Sequence, residues 1–112
     1  MTLVSERTQR VIAADVEVAR TRRARRRGLL GRAGLDQSSA LVLEPCAAIH
    51  TAFMRFAIDV VFMSRDGRAV RIVHRLQPWR IAVSTRAHSV IELPAGALDR
   101  HGITIGDRLS LC

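Results

Sequence analysis

IDVVFMSRDGRAVRIVH, residues 58–74, decides how this chain folds. A mostly apolar run over 58–63 breaks at Ser-Arg-Asp-Gly, and β-branched residues resume from Val70. Asp66-Gly67 supplies the turn chemistry of a tight connection, so the stretch predicts a β-hairpin. A two-residue turn at Asp66-Gly67 would set Asp59 opposite His74, Val61 opposite Ile72 and Met63 opposite Val70. A three-residue Arg65-Asp66-Gly67 loop with a bulge would slip the register by one, and Asp59 would lose His74. Arg55, four residues earlier, is the other candidate partner for that carboxylate.

Working outward from the hairpin, short strands and turn signals recur. Val11–Ile12, Val16–Val18, Ala40–Leu43, Arg80–Ser84 and Ser89–Leu93 read as strands, with Pro45, Pro78 and Pro94 as breaks. Leu98–His101 is long enough for one helical turn. Ile103–Ile105, a Gly106-Asp107 turn and Arg108–Leu111 suggest a closing hairpin. Residues 1–9 are polar and are expected to be a flexible N-terminal segment, leaving 10–112 as a single domain. The expected fold is mainly β, a β-rich α+β domain. Short antiparallel strands would form a compact sheet or barrel, with one short arginine-rich helix near residues 21–30.

That helix holds most of the charge. Of a net +8, seven units come from the seven arginines in 20–32, and the chain has no lysine. Walker A, Schiff-base and lysine general-base chemistry are therefore excluded. Thr21 is an N-cap candidate for a helix from Arg22 to Leu30, ended by the glycines at 28–34. Arg22, Arg23, Arg25, Arg26 and Arg27 spread over an arc of about 200° at ~100° per residue. Ala24 and Gly28 are left on a narrow inner face. No aromatic residue lies between 19 and 52 to stack on bases. A solvated helix face is thus preferred, with only weak, salt-sensitive polyanion or nucleic-acid binding through Arg20–Arg32.

Cys46, His50 and Met54, at i, i+4 and i+8, are soft donors suited to Cu(I). On a helix they would stack ~6 Å apart, whereas strand neighbours would lie ~13 Å apart, too far for one ion. Pro45, Ile49 and Thr51 favour extended chain, so the preferred reading is a buried thiol, a bonded imidazole and a core Met, with no metal or cofactor. Asp59 in IDVVF and Glu92 in SVIELPAG are carboxylates inside apolar strands, each needing a partner or solvent. His50, Arg55, Asp59, His74 and Glu92 are expected to form one polar cluster. It would be either an ion-pair network fixing strand packing or a ligand cleft, with His50 as acid/base and Arg55 as anion clamp.

The motif order is a further guide: RxRGLLGR, IHTAFMRFAIDVVF, DGRAV, VIELPAG and a closing G-x-x-x-GD. From Val16 to Cys112 this resembles the prokaryotic family called domain of unknown function 192. Leu30 stands where many members have Met, and Arg55-Phe56-Ala57 replaces the commoner Lys-Asn-Thr. The resemblance implies a small β-rich domain, some members being secreted and others cytosolic, with no activity established for the family as a whole.

The remaining motifs exclude more than they assign. There is no G-x-S-x-G elbow and no C-x-x-C pair, and Gly28, Gly31 and Gly34 match no nucleotide-binding loop. Trp79 beside Pro78 is read as a core-edge anchor. With only Cys46 and Cys112, and no apolar leader or span, a monomeric cytoplasmic protein with reduced thiols and no membrane contact is expected. The leading function is non-enzymatic binding of a small molecule or protein by a polar site near residues 50–59. Met54 and the five cluster residues are its candidates. The alternative is an acid/base, hydrolytic enzyme using His50, Asp59 and Glu92.

Overall fold

The computed structural model describes residues 1–112. Ten strands and two helices follow in the order β1 (Leu3–Ser5), β2 (Arg10–Ala13), β3 (Asp15–Ala19), α1 (Arg22–Arg27), β4 (Ser39–Leu43), β5 (Ala48–His50), β6 (Ile58–Met63), β7 (Ala69–Leu76), β8 (Ile81–Val83), β9 (Ser89–Pro94), α2 (Ala97–His101) and β10 (Leu109–Leu111). They build a central five-stranded sheet ordered β3-β4-β9-β6-β7, a three-stranded sheet β10-β1-β2 and a two-stranded ribbon β5-β8. No barrel closes, and β3 runs parallel to β4 through the crossover that carries α1.

Every residue of β6 and β9 is buried, which explains why IDVVFM and SVIELP read as continuous rather than alternating apolar runs. Both faces of the central sheet are covered. One face carries Val61, Met63, Ile91 and Leu93 against Leu3, Ile12 and Leu109 of the three-stranded sheet and Leu98 of α2. The other carries Leu43, Ile58, Val60, Phe62 and Val90 against Ile49 and Ala82 of the ribbon, with Leu29 and Met54. Phe62 is fully buried, a placement that stabilises the fold by roughly 1.5–3 kcal/mol.

Both registers foreseen for the hairpin occur in turn. At the loop the three-residue form holds: Met63 faces Ala69, Ser64 N–H donates to Arg68 O at 2.8 Å, and Gly67 takes φ +86°. A bulge then restores the two-residue register, with Phe62 opposite Arg71 and Val61 opposite Ile72. A second irregularity between Ile58 and Val60 puts Asp59 opposite a kink where Arg75 has φ +48°. The expected Asp59–His74 and Met63–Val70 pairs are therefore not made.

Three further expectations are corrected. Residues 1–9 are not a loose tail, because β1 pairs with both β2 and β10 and Leu3 is buried. The C-terminal segment is not a hairpin: Ile103–Ile105 stay outside any strand, while Leu109–Leu111 pair with β1. Asp107 holds that corner by accepting from Arg7 Nε at 2.9 Å and Thr104 N–H at 3.0 Å. The arginine helix is shorter than expected. Thr21 Oγ1 caps it by accepting from Ala24 N–H at 3.0 Å, and Gly28 ends it. Ala24 packs toward the core as foreseen, and α2 adds a second helix.

Candidate functional site

The sheet register sorts the predicted polar cluster. Val60 pairs with Glu92 and Asp59 with Leu93 on the next rung. Directly opposite residues share a face and neighbours alternate, so the two carboxylates point to opposite faces of one sheet. Asp59 is fully buried, its Oδ2 accepting from Gly96 N–H at 3.1 Å and Leu98 N–H at 2.9 Å, its Oδ1 from Arg75 N–H at 2.8 Å. It fastens the β9–α2 turn and the β7 kink, and its full burial behind three backbone donors keeps it from a substrate. His74 lies 3.7 Å from Asp99 rather than with Asp59, and Arg55 is exposed without a carboxylate partner. The five residues do not form one cluster, and the His50–Asp59–Glu92 acid/base set is not assembled.

Glu92 faces the α1 side, where a cavity of about 250 Å³ opens. Arg25–Leu30 form one wall, Cys46, Ala48, Ile49, His50 and Met54 another, and Leu43 and Glu92 lie at the sheet. Three of the predicted site residues, His50, Met54 and Glu92, thus share this space, and Cys46 joins them. The helix sits here because its capped start and glycine stop hold a short turn, while Leu29 plugs into the core beneath.

Glu92 is 4% exposed and meets no ion-pair or hydrogen-bond partner in the protein, its carboxyl oxygens keeping a narrow contact with solvent through the cavity. Burial pushes its carboxyl up to about 7, with Arg32 opposing weakly. Burial likewise pushes the Cys46 thiol up, while its Sγ donates to Ala48 O at 3.1 Å. That thiol is a poor nucleophile and a poor soft ligand at neutral pH. His50 is exposed, and its Nδ1 accepts from Ala52 N–H at 3.3 Å. No group of three His, Cys, Asp or Glu side chains is placed to hold a metal ion.

Two parts of the site escaped sequence reasoning. Arg25 is half-buried on the cavity wall rather than fully solvated, and its guanidinium donates to Arg20 O at 2.6 Å. Thr51 is fully buried and ties β5 to the chain before β8: its hydroxyl donates to Gln77 O at 2.6 Å and accepts from Arg80 N–H at 2.8 Å. A lone Thr between His and Ala gives no local signal of that role. A second, larger cleft of about 480 Å³ lies between β3 and the other side of α1, but its carboxylate, Glu17, is already paired with Arg32 at 2.9 Å.

The sequence profile of DUF192, described as uncharacterized ACR, matches residues 3–111. The chain belongs to this family. A UPF0127 protein of Pyrococcus furiosus is 39% identical over 64 residues, 56% of this chain and 54% of that one. One from Pyrococcus horikoshii is 38% identical over 64 residues, 56% and 55% of the two chains. The match thus spans about half the length of these curated relatives. Two crystal structures share the DUF192 fold seen here, each with a TM-score of 0.85. One is a protein of unknown function from Novosphingobium aromaticivorans, 22% identical, covering 98% of this chain and 82% of that one. The other, from Sinorhizobium meliloti, has a name that proposes a transcription regulator; it is 24% identical, covering 97% and 89%. At such identity the likeness is one of fold. The family is uncharacterised, and no helix of this member is long and apolar enough to cross a membrane.

Proposed function

We infer that this chain is a small-molecule-binding domain whose ligand enters the cavity between α1 and β5. The observation that carries this reading is Glu92: a buried carboxyl without a protein partner, lining a space open to solvent. Leaving a polar group so placed costs stability, which a ligand donor would recover. The cavity is below the usual range for drug-sized ligands, about 300–1,000 Å³. Its occupant is therefore small, with an apolar body against Leu29, Leu43, Ile49 and Met54 and a hydroxyl, amine or amide head at Glu92. An acidic end of the same molecule would meet Arg26 and Arg27, the exposed arginines of the wall.

Hydroxy acids, amino acids and small amides form the probe panel, read by thermal shift on wild type, Glu92→Gln and Glu92→Leu. The reading expects some probes to raise the wild-type Tm, with the gain reduced in the Gln variant and lost in the Leu variant. No stabilising probe, or equal gains in wild type and Glu92→Leu, would refute it.

A further inference from the structure

Beside the cavity, the outer face of the β5–β8 ribbon carries exposed apolar side chains. Directly opposed residues of an antiparallel pair share a face, so Ala48 and Val83 stand with His50 and Ile81, while Ile49 and Ala82 turn inward. Ile81 is 75% exposed and Val83 44%, and Phe53 at 72% and Trp79 at 59% stand on the turns that adjoin the ribbon after His50 and before Ile81. The two rings pack on each other with centroids 4.5 Å apart. Scattered exposed apolar residues need no explanation, but a contiguous group on one face does.

The backbone holds these rings out at a cost. Phe53 has φ +64° and Trp79 φ +65°, a left-handed conformation rare for bulky side chains. Thr51 fixes both sites: its carbonyl accepts from Trp79 N–H at 3.0 Å and Met54 N–H at 3.1 Å, and its hydroxyl binds on either side of Trp79, at Gln77 and Arg80.

The chain segment that builds the face is strongly basic. Between Pro45 and Ile91 the only acids are Asp59, consumed by three backbone N–H groups, and Asp66, tied into the hairpin loop. The same span has seven arginines. Arg55 follows Phe53 by two residues, Arg80 follows Trp79, and the Arg71 guanidinium donates to Val83 O; none of the three meets a carboxylate. Arg25–Arg27 of α1 stand across the cavity from His50 and Ala48.

We propose that this ribbon face docks on the surface of an anionic phospholipid bilayer. Trp79, Phe53, Ile81 and Val83 enter the headgroup–acyl boundary while the flanking arginines meet lipid phosphates. Two observations favour a bilayer over a nucleic acid or a peptide. Ile81 and Val83 offer nothing for base stacking, and the two rings lean on each other instead of being spaced for successive bases. None of the cavities is lined by Phe53, Trp79, Ile81 or Val83, so these four side chains present a surface patch rather than a groove for a peptide, and only Ala48 and His50 at its edge reach a cavity. A surface contact of this kind also needs no membrane-crossing helix.

Trp79 is the only tryptophan, so its fluorescence reports the contact directly. The full chain is titrated with vesicles of phosphatidylglycerol and phosphatidylcholine, with pure phosphatidylcholine vesicles, with a single-stranded oligonucleotide and with an acidic peptide. The expected result is a blue shift and co-sedimentation with anionic vesicles only, weakening as salt is raised. Ile81→Asp, at a site too exposed to disturb the core, should weaken vesicle binding by about tenfold or more. Arg25→Glu/Arg26→Glu should weaken it while leaving residual binding through the ribbon. No shift with anionic vesicles, a shift with the oligonucleotide or peptide alone, or vesicle binding undiminished in Ile81→Asp would each overturn the proposal.

Discussion

Replacing Asp59 by alanine removes the acceptor for three backbone N–H groups at once. The three losses are unequal. Leu98 N–H is buried and must pay the full cost of an unmade bond, whereas the Arg75 and Gly96 groups are part-buried and can turn to water. With about 1.5–3 kcal/mol for a bond to a charged acceptor and discounts for the wetter two, the change costs about 4 kcal/mol. That is a large part of the 5–15 kcal/mol typical of a whole domain. Asparagine should do less harm, because its one oxygen can replace Oδ2 and keep Gly96 and Leu98. Its amide would then face the Arg75 N–H donor to donor, at a cost of about 2 kcal/mol. Urea unfolding followed by far-UV circular dichroism should rank the midpoints wild type, Asn, Ala, with unchanged m-values. An alanine variant within about 1 kcal/mol of wild type would refute the account of Asp59 as the fastener of the β9–α2 turn.

Two more outcomes follow from buried polar groups. The unfolded Glu92 carboxyl titrates near 4.5 and the folded one at about 7, so the folded chain holds the extra proton between these values. Stability should therefore fall as pH rises through that window and level off above it, by about 3 kcal/mol in all. Glu92→Gln should abolish this slope and be the more stable chain at alkaline pH; urea midpoints that move in parallel across the window would contradict it. Thr51→Val keeps the shape but strands Gln77 O and Arg80 N–H, for a loss of about 2 kcal/mol. Hydrogen exchange at Trp79 and Arg80 should quicken before the central sheet opens, and unchanged exchange there would exclude Thr51 as the ribbon's anchor.

The hairpin was legible because its signals are local: an apolar run, Asp-Gly, then β-branched residues. The N-cap at Thr21 and the glycine stop at Gly28 were legible for the same reason. What the sequence hid depends on distant partners. Leu3–Ser5 looks like a frayed end until Leu111 arrives beside it, and the parallel β3–β4 pair joins strands separated by the whole α1 crossover. The polar cluster failed on register. Asp59 and Glu92 both read as acids in apolar strands, which they are, but one rung of offset sends them to opposite faces. Of the site itself, His50 and Met54 were named from their spacing and Glu92 from its place in an apolar strand, whereas Leu29, Leu30 and the α1 wall were not, because only the crossover brings them over β5.

The pairing of β1 with β10 makes the fold nearly a closed loop. Thr2 and Cys112 exchange backbone hydrogen bonds of 3.1 and 2.9 Å, so the two ends of residues 1–112 lie side by side. A short peptide bridging them would turn the chain into a circle without disturbing a strand, and the circle could be cut elsewhere. A cut between the exposed Ala33 and Gly34 would leave α1 tethered through β3 alone. Circular permutation there would separate the fold's need for the crossover from the cavity's need for its roof.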